Sequence, residues 1–431
     1  MKSLLKKIIV AVLTWEAKAA LRRHDPGIIA ITGNVGKTST KDAVYAVVSA
    51  SFKARKSQKS MNSEIGLPLA ILGLENGWSS ASLWAANIVK GFKAAFLSKS
   101  FPELLVLEVG ADRPGDIESV SKWLRPDIVV LTRMSLVPVH VENFPDSKAV
   151  LREKMFLAHA LRPEGTLVVN ADDLLFEQAV KDISATKVFY GSSKGAMPRI
   201  VESSIAYDKG VRGLPVGQRA VIDLGGREAQ IELRGVLGDH LVYPLAAACA
   251  VARVLHIEGV VPSAFDGFES PKGRMRMLDG TSGSIVLDDT YNSSPLACAE
   301  AIKALSSLSI RGRKIAALGD MKELGENAES AHREIGRLVG ESLHMLFAVG
   351  EMSRYIAAGA SEAGMPKDMI RLFDSSEEAA KTVADLARAG DAILVKGSQS
   401  MRMEKVSKAL LADPSKASEL LVRQEDEWAK R

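Results

Sequence analysis

The chain has 431 residues, enough for two or three domains, and its 47% hydrophobic and 25% charged residues are typical of a soluble globular protein. The net charge of +4 is carried by residues 1–25, which leaves the remainder neutral and argues against a body that binds nucleic acid. Cys249 and Cys298 lie far apart without the spacing of metal ligands. They indicate buried thiols in a reducing compartment, and we expect a cytoplasmic protein.

Residues 1–25 form a basic segment that predicts an amphipathic helix packed against the body of the protein. The segment contains only two acidic residues, Glu16 and Asp25, and its apolar run Ile8–Trp15 is too short to span a bilayer. The segment also resembles a secretory signal, although Glu16 lies beside the cleavage position. The alternatives to a docked helix are therefore a helix that contacts a membrane surface and a signal that is cleaved off.

The segment Ile28–Thr40, IIAITGNVGKTST, has the strand–loop–helix order of a phosphate-binding loop. In such a loop the backbone N–H groups surround an anion, a lysine reaches the outer phosphates, and a hydroxyl can bind Mg²⁺. Lys37 and Thr38 occupy these two positions, whereas Ile31 stands where the general pattern has its first glycine. The alternative is a glycine turn with an incidental Lys-Thr pair. The loop predicts that the chain binds a nucleoside triphosphate.

Alternating strands and helices follow the loop, and they predict a mainly parallel sheet with helices on both faces. The strand candidates are 28–32, 104–108, 128–132 and 166–170, and helices are predicted over Lys37–Ser49 and Ile117–Trp123. Ligands bind at the carboxyl ends of the strands in such a sheet. Gly33, Glu108 and Asn170 fall at such ends, so we expect them near the site.

The rest of the first unit predicts a strand-rich extension over 184–235 and a helix over Leu245–Val254. We expect residues 26–270 to form an ATP-binding central domain. Pro271 and Gly273 mark a domain boundary near residue 271, and a second, Rossmann-like α/β unit is predicted over 271–431. Its strand candidates are 284–288, 314–318, 345–349 and 392–395, and its helix candidates are 296–306 and 329–338.

Polar turns follow three strands of the second unit, at 288–295, 319–326 and 394–398. Taken singly, each is an ordinary solvent-exposed turn. Because the carboxyl ends of parallel strands meet at one edge of a sheet, three such turns suggest a rim that faces the nucleotide.

Two side chains of the first unit have the chemistry of metal ligands. Glu108 ends an apolar strand, where a carboxylate can hold Mg²⁺ beside the loop, and capping of the next turn is the alternative. A lone histidine is more often structural than a ligand, but His140 lies beyond the strand 128–132 of a nucleotide-binding sheet, a position that strengthens the interpretation as a metal ligand.

These pieces, in this order, resemble the Mur ligase family, whose ATP-dependent members join amino acids or peptides to a cell-wall precursor. Within the family the chain is most similar to the members that add D-alanyl-D-alanine to UDP-N-acetylmuramoyl-tripeptide. The motifs that carry this likeness are EVGADRPGDI (108–117), DDTYNSSP (288–295), LGDMKELGE (318–326) and LVKGSQSMRME (394–404).

The resemblance implies a role for each matching residue. Lys37 would bind the outer phosphates, Thr38, Glu108 and His140 would bind Mg²⁺, and Lys154, fourteen residues after His140, matches the family lysine that CO₂ carbamylates. Lys37, Lys154 and His140 are the expected catalytic residues. The expected nucleotide contacts are Gly33, Asn34, Gly36, Lys37, Thr38, Ser39, Asn170, Asp172, Arg274 and Asp289. The expected contacts to the substrate are Asn292, Asp320, Glu323 and Lys396.

The resemblance also implies the reaction. A substrate carboxylate attacks the γ-phosphate of ATP to give an acyl phosphate, and the amine of the second substrate then displaces phosphate. The expected partners are ATP with Mg²⁺ and a peptide-bearing cell-wall precursor. We expect a monomer that does not bind nucleic acid.

The chain departs from the family pattern at several positions. About 25 residues precede the loop where most members have a domain for the UDP-sugar, so we expect that domain to be lacking. Phe156 stands where the family has a glutamate, and Gln399 stands where it has an arginine. Leu241 and Pro244 stand where the family has two asparagines. Two alternatives follow, namely a Mur-like ligase with a lipid-linked or polymeric acceptor, and a P-loop binding protein without turnover. The chain has no N-K-x-D motif, which specifies guanine, and this argues against the interpretation as a GTPase-like switch.

Overall fold

The computed structural model describes residues 2–58, 61–78, 80–135, 141–208, 210, 213–425 and 428, with residues 2–5 and 141 described by their backbone alone. The α-helices are α1 Lys2–His24, α2 Lys37–Ser49, α3 Gly66–Leu72, α4 Ala81–Phe92, α5 Asp116–Ser121, α6 Ser147–His159, α7 Leu174–Ala179, α8 Val242–Val254, α9 Val261–Ala264, α10 Pro295–Ser306, α11 Ala328–Ser342, α12 Ser353–Glu362, α13 Ser376–Leu386, α14 Glu404–Leu410 and α15 Ala417–Leu420.

The strands form three sheets. They are β1 Gly27–Thr32, β2 Ala54–Lys56, β3 Leu104–Glu108, β4 Ile128–Leu131, β5 Thr166–Asn170, β6 Thr186–Tyr190, β7 Arg199–Tyr207, β8 Pro215–Asp223, β9 Glu228–Arg234, β10 Arg276–Asp279, β11 Ile285–Asp289, β12 Lys314–Gly319, β13 Met345–Val349, β14 Ile370–Phe373 and β15 Ala392–Lys396.

The first sheet is parallel, in the order β2-β3-β1-β4-β5-β6. Its inner strands β3, β4 and β5 are buried on both faces, as their continuous apolar runs predict, whereas the edge strands β2 and β6 are only partly buried. On one face Ile29 and Ile31 pack with α2 and α8, and on the other Ile28 and Ala30 pack with α1 and α3. The α/β fold class predicted from the sequence is therefore confirmed.

A three-stranded antiparallel sheet, β7-β8-β9, extends from this unit. The burial of β9 alternates residue by residue, because one face of the strand packs on the core and the other faces solvent. Helix α8 is rich in small apolar residues and almost wholly buried, and it packs on α2. The strand-rich character predicted for 184–235 is confirmed.

The second unit has the order β10-β11-β15-β12-β13-β14, with β10 antiparallel and the other pairs parallel. The sequence reasoning missed two edge strands, β10 and β14. Both are short and only partly buried, so neither has the continuous apolar run that marks the inner strands. One core cluster contains residues of both units, including Val44 of α2 and Leu394 of β15.

Helix α1 packs along the first unit. Leu13, Ala17 and Ala20, spaced by four and three residues, form its fully buried stripe against α3. The end of α1 meets the π-helical turn Lys93–Leu97 that continues α4, where Arg23 donates to the carbonyl of Ala95. Throughout the described parts of the chain, each helix is too short or too polar to serve as a membrane span.

Candidate active site

The loop between β1 and α2 has a backbone conformation that requires glycine at both ends. Gly33 has φ +147°, and a Cβ atom added there would lie 2.0 Å from Oγ1 of Thr132 on the neighbouring chain segment. Gly36 has φ +86° and immediately precedes α2. Gly33 thus lets the loop lie closely against the end of β4, and Gly36 supplies the left-handed backbone conformation that leads into α2.

The loop is held by backbone hydrogen bonds and closed by its lysine. The amides of Asn34 and Val35 donate to the carbonyl of Arg133 at 2.8 and 3.2 Å. The Nζ atom of Lys37 donates to the carbonyls of Gly33 and Asn34 at 3.0 and 3.3 Å. Oδ1 of Asn34 is buried and accepts no hydrogen bond from the described residues. The ammonium group of Lys37 therefore lies at the position where phosphates are expected, and Ser39 lies in the first turn of α2.

Thr38 and Glu108 meet beside the loop. The hydroxyl of Thr38 donates to Oε2 of Glu108 at 2.9 Å, and Nδ2 of Asn62 donates to Oε1 at 3.2 Å. The backbone amide of Glu108 donates to the hydroxyl of Ser57 at 3.0 Å. Both oxygens of a nearly buried carboxylate are thereby oriented at the tip of an inner strand.

This oxygen pair suits Mg²⁺, which prefers hard oxygen ligands and retains waters and phosphate oxygens in its shell. Thr38 and Glu108 would hold the ion, which on binding neutralises charge on the phosphates. Among the described residues, no three His, Cys, Asp or Glu side chains group together as a self-sufficient metal site. His140, the third expected ligand, lies outside the described residues.

Lys154 lies on the buried side of α6, with 3% of its surface exposed. Burial and, to a lesser extent, the charge of Lys37 lower its pKa to about 7, against the opposing charges of Glu153 and Asp112. Glu153 itself accepts hydrogen bonds from the backbone amides of Gly115, Ile117 and Glu118 at the start of α5. A lysine that is about half uncharged at neutral pH therefore lies close enough to Lys37 for the charge of Lys37 to lower its pKa.

The pKa of Lys37 is also lowered, chiefly by burial. Glu108 and Asp112 oppose this shift, and Arg274 of the second unit adds to it. Arg274 lies over the ring of Tyr291, with its guanidinium carbon 4.3 Å from the ring centroid. The structure thus brings the predicted Arg274 towards the loop from the opposite unit.

The expected nucleotide contacts Asn170 and Asp172 are partly engaged within the protein. Oδ1 of Asn170 accepts from the amide of Asp172 at 3.0 Å. Asp172 also accepts from Ser192, Ser193 and Tyr243. Burial raises the pKa of Asp172, but these hydrogen bonds outweigh burial and lower it overall. Asp172 therefore stabilises the turn after β6 by accepting hydrogen bonds from Ser192 and Ser193.

A small cavity of about 30 Å³ lies between Asn170, His240, Tyr243 and Arg133. It has room for about one water molecule. The Nδ1 atom of His240 is buried without a hydrogen-bond partner among the described residues, and burial lowers the pKa of the ring. Leu241 and Pro244, which stand at the family asparagine positions, are buried at the start of α8.

Asp289 and Lys396 form a buried ion pair at the ends of the adjacent strands β11 and β15. Lys396 Nζ donates to Oδ2 of Asp289 at 2.6 Å and to the carbonyl of Asn292 at 2.9 Å. Oδ1 of Asp289 accepts from the amide of Met275 at 3.2 Å, and Oδ1 of Asn292 accepts from that of Ser293. These three predicted residues therefore hold one another in place at the edge of the sheet.

Asp320 ties together the turns of the second unit. It is fully buried and accepts from the amide of Ser353 at 2.8 Å and from Lys322 Nζ at 2.7 Å. Its carbonyl accepts from the amide of Ser398. Glu323 has φ +66° in the same turn, which continues to Gly325 beside Glu142 of the first unit. This turn therefore approaches the segment that follows β4.

The two units also meet through Arg133 and Glu300. Nη1 of Arg133 lies 3.2 Å from Oε1 of Glu300 on α10, and both side chains are partly exposed. Since Arg133 also anchors the loop through its carbonyl, the phosphate-binding loop is linked directly to the second unit.

A larger cleft of about 1050 Å³ opens on the other side of α2. It extends from Thr38 along Lys56 and Ser57 to Trp78 and Leu83, and the linker around Pro271 forms its far wall. A cleft of this size, next to the Thr38–Glu108 pair, has room for a substrate that carries the reacting carboxylate.

Sequence reasoning missed several residues that complete the site: Ser57, Asn62, Arg133, His240 and Arg423. Asn62 gave no signal, because only the fold brings it to Glu108. Arg423, near the end of the chain, is buried and donates to Glu404 and to the carbonyls of Thr290 and Tyr291. It braces the loop that carries Asn292.

Comparisons with known proteins agree with this geometry. The Mur ligase middle domain family matches residues 31–252, and the family described as Mur ligase, glutamate ligase domain matches residues 273–399. UDP-N-acetylmuramoyl-tripeptide–D-alanyl-D-alanine ligase of Bacillus subtilis is 26% identical over 403 residues, covering 92% of this chain and 79% of the relative. The enzyme of the same name from Mycobacterium tuberculosis is 29% identical over 413 residues, covering 90% and 73%.

Among solved structures, the crystal structure of MurF ligase from Thermotoga maritima in complex with ADP has a TM-score of 0.74 and 25% sequence identity. The match covers 93% of this chain and 83% of that one. Family, relatives and fold neighbours agree over both α/β units, and the chain therefore belongs to the Mur ligase family.

Proposed function

We propose that this protein is an ATP-dependent amide ligase that adds D-alanyl-D-alanine, or a similar amino component, to a muramoyl-peptide cell-wall precursor. ATP-dependent Mur ligases use ATP and Mg²⁺. The observation that carries the proposal is the meeting of Thr38 with Glu108 at 2.9 Å, beside a loop whose lysine shifts the pKa of the buried Lys154.

In this proposal the residues of the loop bind and orient ATP. Lys37 leaves the loop carbonyls to pair with the outer phosphates. Arg274 adds positive charge from the second unit. These fixed charges stabilise the transferring phosphoryl group, and the two units exclude water from the acyl phosphate.

Carbamylation of Lys154 is part of the proposal. A neutral amine adds to CO₂ to give a carbamate and one proton, and a pKa of about 7 keeps much of Lys154 neutral at physiological pH. The resulting anion would lie near Lys37 and could steady the charges there. We also propose that the protein is a monomer, and that the residues predicted from the sequence to contact the nucleotide do so.

Turnover on defined substrates tests the proposal. The protein is incubated with ATP, Mg²⁺, UDP-muramoyl-tripeptide and D-alanyl-D-alanine, while phosphate release and product mass are followed. We expect phosphate and the ligated product in equal amounts, and no turnover by Lys37→Ala. ATP binding without turnover on any acceptor would instead indicate a non-catalytic P-loop protein.

A lipid-linked acceptor is the second candidate. The observation that favours it is the path of the cleft, which runs from Thr38 to Trp78 before α4 and Leu83 in the first turn of α4, both of them about half exposed. Turnover with a lipid-linked muramoyl-peptide, and none with the soluble UDP form, would favour this acceptor over the first.

A further inference from the structure

Helices α1 and α4, with the π-helical turn that follows α4, expose a group of large apolar side chains that the proposed reaction does not use. We name this surface the α1–α4 face. Its main members are between 45% and 63% exposed: Ile8, Trp15, Val89, Phe92 and Leu97. Singly exposed apolar residues are ordinary, but neighbouring ones mark an interaction site.

The aromatic members of the face lie side by side across the seam between the helices. The rings of Trp15 and Phe96 have centroids 5.2 Å apart, and those of Phe92 and Phe96 are 4.8 Å apart. Ile8 precedes Trp15 by seven residues, two helical turns, and therefore extends the face along α1. The aromatic members therefore form one contiguous group at the seam, and Ile8 lies on the same side of α1 as Trp15.

The charge on these elements is almost entirely positive. Residues 81–100 contain no Asp or Glu, and Lys90, Lys93 and Lys99 are all exposed. On α1, Lys6, Lys7, Arg22 and Arg23 are exposed as well. The one acid of α1, Glu16, is buried, and its burial raises its pKa to about 7.

Exposed aromatic and aliphatic side chains beside lysines and arginines suit the surface of an anionic bilayer. Tryptophan and phenylalanine enter the boundary between headgroups and acyl chains, while the cations remain with the phosphates. A symmetric contact between two copies of this chain would place the same lysines against one another, which opposes it.

We propose that the α1–α4 face docks this protein on the surface of an anionic lipid bilayer. The inference extends the membrane contact left as an alternative for residues 1–25 to α4 and to named side chains, and it does not depend on the ligase reaction. Since α4 also begins at the cleft that contains Thr38, a docked protein would present that cleft near the membrane surface.

Sedimentation with lipid vesicles tests the proposal on the full chain. Vesicles of phosphatidylcholine alone are compared with vesicles that also contain about 30% phosphatidylglycerol. We expect binding to the anionic vesicles only, with loss of binding at about 1 M salt, where the Debye length falls to about 3 Å. No binding to anionic vesicles, or equal binding to both kinds, would overturn the proposal.

Variants locate the contact. Trp15→Glu with Phe92→Glu, and separately Lys90→Glu with Lys93→Glu, should each weaken vesicle binding at least about tenfold. The matched control is Leu372→Glu, which changes a 57% exposed leucine on the edge strand β14 of the other sheet and should leave binding within about twofold.

Two further measurements keep the outcomes separate. Thermal unfolding of each variant shows that it remains folded, and turnover on the soluble acceptor should be unchanged, so a failure of docking is distinct from a failure of the ligase proposal. If the control variant loses binding equally, the face is not the contact. If the variants instead dissociate a dimer, the face contacts a second copy and the proposal is wrong.

Discussion

At the scale of single residues, Lys154 carries the most specific chemistry. The residue is 3% exposed in α6, and burial together with the charge of Lys37 lowers its pKa to about 7. A lysine in this environment is neutral often enough to react with CO₂, whereas an exposed lysine with its ordinary pKa is not.

We predict that Lys154→Ala lowers turnover by roughly 10²-fold or more, because a charge beside the phosphates is lost, and that excess bicarbonate does not restore it. With ¹³C-bicarbonate, the wild-type protein should show a carbamate signal by NMR that weakens as the pH falls below 7 and the amine becomes protonated. The control is Lys148→Ala, an exposed lysine of the same helix. Full activity of Lys154→Ala would show that turnover does not need a carbamate on Lys154.

At the scale of elements, the phosphate-binding loop depends on the backbone freedom of Gly33. A methyl group there would lie 2.0 Å from Thr132 Oγ1, and φ +147° is a conformation that alanine rarely adopts. Gly33→Ala should therefore weaken ATP binding at least about tenfold, measured by calorimetry, through displacement of the loop. Gly259→Ala, where a Cβ atom meets nothing within 4 Å, should bind ATP like the wild type. Equal affinity in both variants would contradict the role of the loop.

The seam between α1 and α4 gives a prediction about stability and pH. Burial raises the pKa of Glu16 from 4.5 to about 7, and Oε2 of this carboxyl has no hydrogen-bond partner among the described residues. Between these two pH values the unfolded chain releases the proton and the folded protein keeps it, so the free energy of unfolding falls as the pH rises. Above about pH 7 the carboxyl is ionised in both states, and its contribution to the free energy of unfolding no longer changes with pH.

Glu16→Gln removes this dependence while keeping the shape of the side chain. We expect the variant to unfold at a higher temperature than the wild type at pH 8, and the difference to disappear near pH 4.5. Glu164→Gln, at an exposed position, should show no such trend. A constant difference across this range would mean that folding does not raise the pKa of Glu16.

At the scale of the whole molecule, much of the fold could be predicted from the sequence. The inner strands β3, β5 and β13 are continuous apolar runs, and their observed bounds match the predicted ones. The edge strands β10 and β14 could not be found, because short, half-buried strands lack such a run and take their pairing from neighbours distant in sequence.

The candidate site could be predicted in part for a similar reason. Lys37, Thr38 and Glu108 stand in recognisable local patterns, and the structure brings Thr38 to Glu108. Asn62 has no local pattern and reaches Glu108 only through the tertiary fold. Lys396 has a pattern, but only the fold shows that its amine pairs with Asp289.

The central claim is that an acyl phosphate forms between the loop of the first unit and the turns of the second. Transfer of an isotope label tests it most directly. The acceptor is labelled with ¹⁸O in the reacting carboxylate, and the inorganic phosphate released during turnover is analysed by mass spectrometry. The account predicts one ¹⁸O atom in each phosphate, because the carboxylate oxygen stays with phosphorus when the amine displaces it. Phosphate without the label, released together with ligated product, would contradict it.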